Sequence, residues 1–332
     1  MGDIQNPHDA FVRSVFQEKE NAIDLIRSAL PQEIVSRLDL ASLDVIDVSF
    51  VDEEQKQSQG DLLFSIGLRE PDGSIHSGRE SNREMQIYCL FEHKSYLDPG
   101  IYVQLIEYLA RIYRRQWTTA RWFSPVIPLV FYHGEKEWNL GNRLLDQMVR
   151  NSGLGGEDLE LLRRYIPDFG IELFNVPRID PSTLPVSEPV QLYLASVAFI
   201  RDPGVFEHLI PYLERQGNIE DIGKKVEVVA RVLQYIFNVQ DVESGAVSEA
   251  LKMAGFSTEE SEGVMATTAD KLRAEGKLEG IQQGMQQGKL EGKLEGKLED
   301  ARRMKERGID LQTISEVTGL SVDELKKHQI ID

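Results

Sequence analysis

Two apolar segments with a shared polar end constrain this chain more than any other feature: Gly60-Asp61-Leu62-Leu63-Phe64 and Ile87-Tyr88-Cys89-Leu90-Phe91-Glu92-His93-Lys94. Each is an apolar run bounded by turn residues, the pattern of a buried strand. Between them Pro71-Asp72-Gly73-Ser74 supplies a turn, followed by a long polar loop. Side chains two apart on a strand share a face. Glu92 and Lys94 are therefore expected beside Tyr88 and Leu90, with Phe91 and His93 opposite. A carboxylate and an ammonium at the polar end of a buried strand are costly unless paired or put to use.

Metal-assisted phosphodiester cleavage would use them. Asp61 and Glu92 would hold a hard cation such as Mg2+ or Mn2+ through oxygen. The ion would polarise the scissile phosphate and lower the pKa of a bound water. Lys94 would orient that water or neutralise developing charge. An ion pair at a strand end is the plain alternative, and three residues alone do not decide between them.

The chain has 332 residues, room for two domains or for one domain with appendages. A hydrophobic content of 41% supports a sizeable core. Its single cysteine, Cys89, lies inside an expected strand, which excludes a disulfide framework and fits a reducing cytoplasm. No apolar run approaches the roughly 18–20 residues of a membrane span. Met1-Gly2-Asp3 lacks a basic, then apolar, leader pattern, so no signal peptide is expected. The formal net charge of −18 argues against a broadly basic nucleic-acid binder, so DNA contact requires a local basic patch.

In chain order, His8-Asp9-Ala10-Phe11 starts a helix whose apolar side is Phe11, Val12, Val15 and Phe16. A second helix is expected from Asn21 to Leu30, burying Ile23, Ile26 and Leu30 and ended by Pro31. Strands are expected over Leu43–Val51, Asp61–Leu68 and Gln86–Lys94. Asp98-Pro99-Gly100 opens a helix to Arg115, and Val126–His133 is a fourth strand ending at Gly134. The order α, β, β, β, α, β predicts an α/β fold with a mixed sheet, not an alternating parallel one.

The helix after Lys94 carries a second chemical signal. Gln104, Tyr108, Arg111 and Arg115 form one stripe, beside an apolar face of Ile101, Leu105, Leu109 and Ile112. Arg114, Trp117 and Arg121 extend the polar side. This is either a phosphate-contacting surface or an ordinary solvated face.

These residues carry a resemblance. His8-Asp9-Ala10-Phe11, Gly60-Asp61-Leu62-Leu63, Glu92-His93-Lys94-Ser95 and Tyr132-His133-Gly134 are similar, in order and spacing, to landmarks of the Rpn family of recombination-promoting nucleases. That family is also labelled as transposases and sits within the PD-(D/E)xK nuclease superfamily. The resemblance covers roughly residues 8–200, with a weaker match in the C-terminal tail. It implies a restriction-endonuclease-like α-β-β-β-α-β core and Mg2+-dependent DNA cleavage. Asp61, Glu92 and Lys94 would be catalytic, with Asp61 and Glu92 on the metal. Gln104-x-x-x-Tyr108 resembles the Q-x-x-x-Y signature of RecB-like branches, and with Arg111, Arg114 and Arg115 would contact DNA. Two departures stand out: Gly60 replaces the superfamily's leading Pro, and Lys94 stands where many family members carry Gln.

Beyond this core, a helix is expected over Trp138–Arg150, a short strand over Ile171–Val176 and a proline-rich connector from Pro177 to Pro189. Val190–Phe256 is helical in pattern. Gly276, Gly280, Gly284, Gly288, Gly292 and Gly296 recur every four residues. The period stacks like charges at i,i+4, and each glycine costs about 1 kcal/mol relative to alanine, predicting a poor isolated helix. The tract either pairs two copies into a homodimer or acts as a spacer. Gly288-Lys289 is not a P-loop, because Leu290 replaces Ser or Thr and no strand precedes it. Ile309–Ser321 resembles a helix-turn-helix, as a DNA reader or a packing module, and Ser321-x-x-Glu324 is a capping box. The expected organisation is a nuclease-like core over 1–185, a helical subdomain over 186–270, the glycine repeat over 271–300 and a small helical module over 301–332.

Two rival functions remain. A true transposase would need a third metal-binding carboxylate, for which Glu18 is a distant candidate. A catalytically silent DNA-binding or regulatory module is the other, set against the intact Asp61, Glu92 and Lys94. No G-x-S-x-G elbow supports a serine hydrolase, and one cysteine with scattered histidines does not make a zinc site.

Overall fold

The computed structural model describes residues 6–46, 61–69, 84–92, 97–153 and 155–331. The chain divides into two compact units, one of Ile4–Thr268 and one containing Ala269–Asp332.

In the first unit α1 (Pro7–Phe16), α2 (Lys19–Ala29) and α3 (Gln32–Val35) precede β1 (Leu38–Ile46), β2 (Leu62–Leu68) and β3 (Glu84–Glu92). Then come α4 (Ile101–Ala120), β4 (Val126–Tyr132), α5 (Leu144–Ser152), α6 (Gly156–Leu162) and β5 (Glu172–Asn175). The strands form one mixed sheet in the order β1-β2-β3-β4-β5. Pairing is antiparallel from β1 to β3 and parallel from β3 to β5. The change of sense comes where α4 is inserted, since parallel neighbours need a long crossover.

Several boundaries differ from the sequence reading for identifiable reasons. Helix α1 begins at Pro7, whose fixed φ suits a first turn, and Asn6 Oδ1 caps it by accepting from the His8 amide at 3.0 Å. In α2 the buried side includes Leu25 and Ile26, while Ile23 is only partly buried. Strand β1 starts at Leu38, not Leu43, and the part of the expected strand beyond Ile46 lies outside the described residues. Its pairing register shifts between Asp39 and Asp44. The shift lets Leu38 and Leu43, an odd number of residues apart, both be buried and hides the first half from an alternation search. Helix α4 runs past Arg115 to Ala120, because nothing terminates it before Arg121 takes the left-handed conformation at φ 62°. The segment before α5 is irregular. Gly141, at φ +79°, offers its carbonyl to both Trp138 Nε1 (3.0 Å) and Tyr102 Oη (2.8 Å).

Strand alternation gives the sheet two apolar faces. On one, Phe64, Ile66, Ile87, Leu129 and Phe131 pack with Val15, Phe16, Leu25 and Ile26. On the other, Leu63, Val130 and Tyr132 pack with Tyr102, Leu105, Tyr108 and Ile112 of α4. The first cluster continues into α7 (Glu188–Phe199), α8 (Val205–Arg215), α9 (Ile222–Val239) and α10 (Ser244–Met253). The helices beyond residue 185 thus share a core with the sheet. Every residue of α7 from Val190 to Val197 is buried, as expected of a helix apolar on all sides.

Helix α11 (Thr258–Glu306) is a single 49-residue helix that includes the whole glycine repeat. Ser257 and Glu260 open it with a capping box: Glu260 Oε2 accepts from the Ser257 amide at 2.8 Å, and Ser257 Oγ from the Glu260 amide at 3.1 Å. The expected helix weakness is real per residue, but nucleation, not propagation, is the costly step. Both ends are anchored by packing: Val264 belongs to the first unit's core, and Leu298 and Ala301 to the second's. The second unit adds α12 (Leu311–Thr318) and α13 (Val322–Lys327) around Ile314, Leu320, Leu325 and Ile330. Asp310 caps α12, Gly319 closes it at φ 65°, and Ser321 with Glu324 forms the expected capping box on α13. Among the described residues no helix is long and apolar enough to cross a membrane.

Candidate functional site

Asp61 immediately precedes β2 and is only 4% exposed. Antiparallel pairing of Leu62 with Cys89 and Leu63 with Tyr88 puts Asp61 at the carboxyl end of β3. By alternation it shares the face of Leu63, the face packed by α4. The backbone of Glu92 ends β3, paired with Tyr132 of β4. The side chain of Glu92, and Lys94 altogether, lie outside the described residues. Among the described residues no group of three or more His, Cys, Asp or Glu is placed to hold a metal ion.

On α4, Gln104 and Arg111 are half-buried, and Arg114 and Arg115 are exposed. Tyr108 departs from the expected polar stripe: it is 2% exposed and joins Leu105 and Ile112 in the core. The helical angle explains this, since seven residues separate Tyr108 from buried Ile101, an offset of only about 20°. The stripe therefore runs from core to solvent along the helix.

A second polar group sits at the same sheet end on the opposite face. His133 follows β4 and is 2% exposed, and its ring lies 5.0 Å from that of His8. His8 Nδ1 is 2.7 Å from Tyr235 Oη on α9. Arg201 donates to the His133 carbonyl at 2.7 Å and pairs with Glu135 at 3.5 Å. Burial, first of all, pushes the Tyr235 phenol far above its ordinary range, opposed by Arg201 and reinforced by Asp9. Gly134 lies so close to the Tyr132 ring that a Cβ there would overlap it. Tyr132 Oη donates to the Lys136 carbonyl at 2.5 Å, closing the turn. The fold thus brings the His8-Asp9 and Tyr132-His133-Gly134 landmarks together. Tyr235 and Arg201, which complete the group, stand in a helical region whose sequence carries no local signal for them.

A mixed α/β domain followed by a small helix-turn-helix unit defines the class of this protein. Residues 6–227 match the family model described as "Putative transposase, YhgA-like", and residues 294–329 match "Rpn/YhgA-like nuclease family, C-terminal HTH domain". The chain belongs to the YhgA-like family. It is 26% identical over 326 residues to the recombination-promoting nuclease RpnA of Escherichia coli (strain K12), covering 96% of each chain. It is 32% identical over 139 residues to RpnD of Escherichia coli O157:H7, which is 40% of this chain and about half (49%) of that one. A third relative, the inactive recombination-promoting nuclease-like protein RpnE of strain K12, is 28% identical over 131 residues, 39% of this chain and 40% of that one. No solved structure matches the chain.

Proposed function

We propose that this protein is a metal-dependent DNA endonuclease with Asp61, Glu92 and Lys94 as its catalytic residues. The observation that carries the reading is the position of Asp61, buried at the carboxyl end of β3, the strand that ends in Glu92. The element order α-β-β-β-α-β supports a restriction-endonuclease-like core, and the family's nuclease names point the same way. Asp61 and Glu92 are hard oxygen donors suited to Mg2+ or Mn2+. Such an ion, when bound, supplies Lewis-acid activation of phosphate and water. Lys94 would hold the nucleophilic water in line. Gln104, Arg111, Arg114 and Arg115 would contact the DNA backbone, with Tyr108 supporting them from beneath. The C-terminal unit would add a second DNA contact, and the glycine tract would pair two copies of the chain into a homodimer.

Supercoiled plasmid incubated with the purified chain tests this. Nicking is expected with Mg2+, none with EDTA, and none with Asp61→Ala or Glu92→Ala folded as the parent. Undiminished nicking by either variant would remove the metal-site reading. A second reading, a silent DNA-binding protein, is favoured by the inactive relative. It predicts DNA retention without cleavage under every metal tried.

A further inference from the structure

The C-terminal end of α4 carries an aromatic platform that phosphodiester chemistry does not require. Trp117 is 46% exposed and Phe123 61%. Their rings stack with centroids 5.5 Å apart and planes 18° from parallel. Tyr113 meets Phe123 edge-on at 5.9 Å. The Arg121 guanidinium lies 5.7 Å from the Trp117 ring centre, and Arg114 and Arg115 are exposed on the same last turns.

The platform is actively held. Arg121 adopts a left-handed φ of 62° at a helix end where glycine is the usual occupant, and its amide donates to the Trp117 carbonyl at 3.2 Å. A side chain in that conformation costs about 1 kcal/mol or more. Further on, buried Gln116 grips Ser124 from both sides. Gln116 Oε1 accepts from the Ser124 amide at 2.9 Å, and Gln116 Nε2 donates to the Ser124 carbonyl at 3.3 Å. Strain at 121 and the clamp at 124 together turn the chain back so that Phe123 lies against Trp117.

The charge indicates what such a surface receives. In a chain of net charge −18, Arg114, Arg115 and Arg121 concentrate positive charge where the large rings are exposed. Arginines pair with phosphates, and aromatic faces stack on bases. In a duplex the bases are stacked on one another and cannot reach such rings; an unpaired base can. We propose that Trp117, Phe123 and Arg121 form a stacking site for unpaired DNA bases, so that the preferred substrate carries a single-stranded stretch. The proposal deepens the endonuclease reading and rests on it.

The test is equilibrium binding of the full chain in EDTA, so that no cleavage intervenes, to a labelled oligo-dT and to a duplex of equal length at fixed salt. Tighter binding of the single strand is expected. The double variant Trp117→Ala/Phe123→Ala should lose about tenfold or more in single-strand affinity, while duplex affinity stays within twofold. Phe123→Leu, which keeps apolar bulk without the ring, should show an intermediate loss. Equal losses for both DNA forms, or no loss, would overturn the proposal. So would an unchanged single-strand affinity with a lower solution mass, since the rings would then serve contact between copies. Absence of nicking alone would sink the endonuclease reading and leave the stacking result standing.

Discussion

The His8 imidazole and the Tyr235 hydroxyl meet at 2.7 Å, across 227 residues of chain. The contact ties α1 to α9. Burial raises the Tyr235 phenol, so the hydroxyl keeps its proton. Tyr235→Phe removes only that hydroxyl and should cost about 1–2 kcal/mol. Chemical denaturation measures it, and a double-mutant cycle with His8→Ala should be non-additive. Additive losses would mean that the two groups do not couple.

Gly134→Ala should act on Tyr132. A Cβ at 134 would overlap a ring that is 1% exposed and anchored to the Lys136 carbonyl, so the turn after β4 must shift. We expect a loss of about 1–3 kcal/mol. Tyr132→Leu on the same background should recover part of it. A variant as stable as the parent would show that the turn opens freely.

The repeat glycines form an open stripe: a methyl added at Gly284, Gly288 or Gly292 would meet nothing within 4 Å among the described residues. Replacing these three by Ala should raise helix stability by about 0.8–1 kcal/mol each. If the stripe brings two backbones together, the same change should weaken association. Deleting 276–296 should then lower the oligomeric state measured by sedimentation equilibrium. An unchanged oligomeric state would leave the tract as a spacer.

Acid should loosen the start of α11. The hydrogen bond from Lys225 at 2.8 Å, then that from the Ser257 amide, hold the Glu260 carboxyl below the usual range. A lowered folded-state pKa means that its stabilisation is complete above the unfolded value, near 4.3. It is lost as pH falls through the folded one. Glu260→Gln should therefore cost about 1 kcal/mol at pH 7, and progressively less as the pH falls through the folded-state pKa. A loss independent of pH would assign the effect to the cap alone.

Much of the core was legible because its signals are local. The apolar face of α1, the runs at Leu62–Leu68 and Val126–Tyr132, and the Ser321–Glu324 cap depend only on neighbours in sequence. The β1 bulge was not legible, because a register shift needs the partner strand to be seen. Nor was the continuity of α11, which its anchored ends decide. At the candidate site, Asp61 stood out as a charge beside an apolar run. The His8, His133, Arg201 and Tyr235 group did not, since its members lie on four separate segments and meet only through the sheet and α9.

The Gln116 clamp bears on how natural variation at that position would read. Its amide reproduces the donor and acceptor of a peptide group, so α4 is stitched to the entry of β4 by a side chain posing as backbone. Asn is one methylene too short for the span, Glu lacks the donor, and an aliphatic residue removes both bonds to the Ser124 amide and carbonyl. Position 116 should thus tolerate almost no exchange among homologues, with the constancy of a catalytic residue and none of its chemistry.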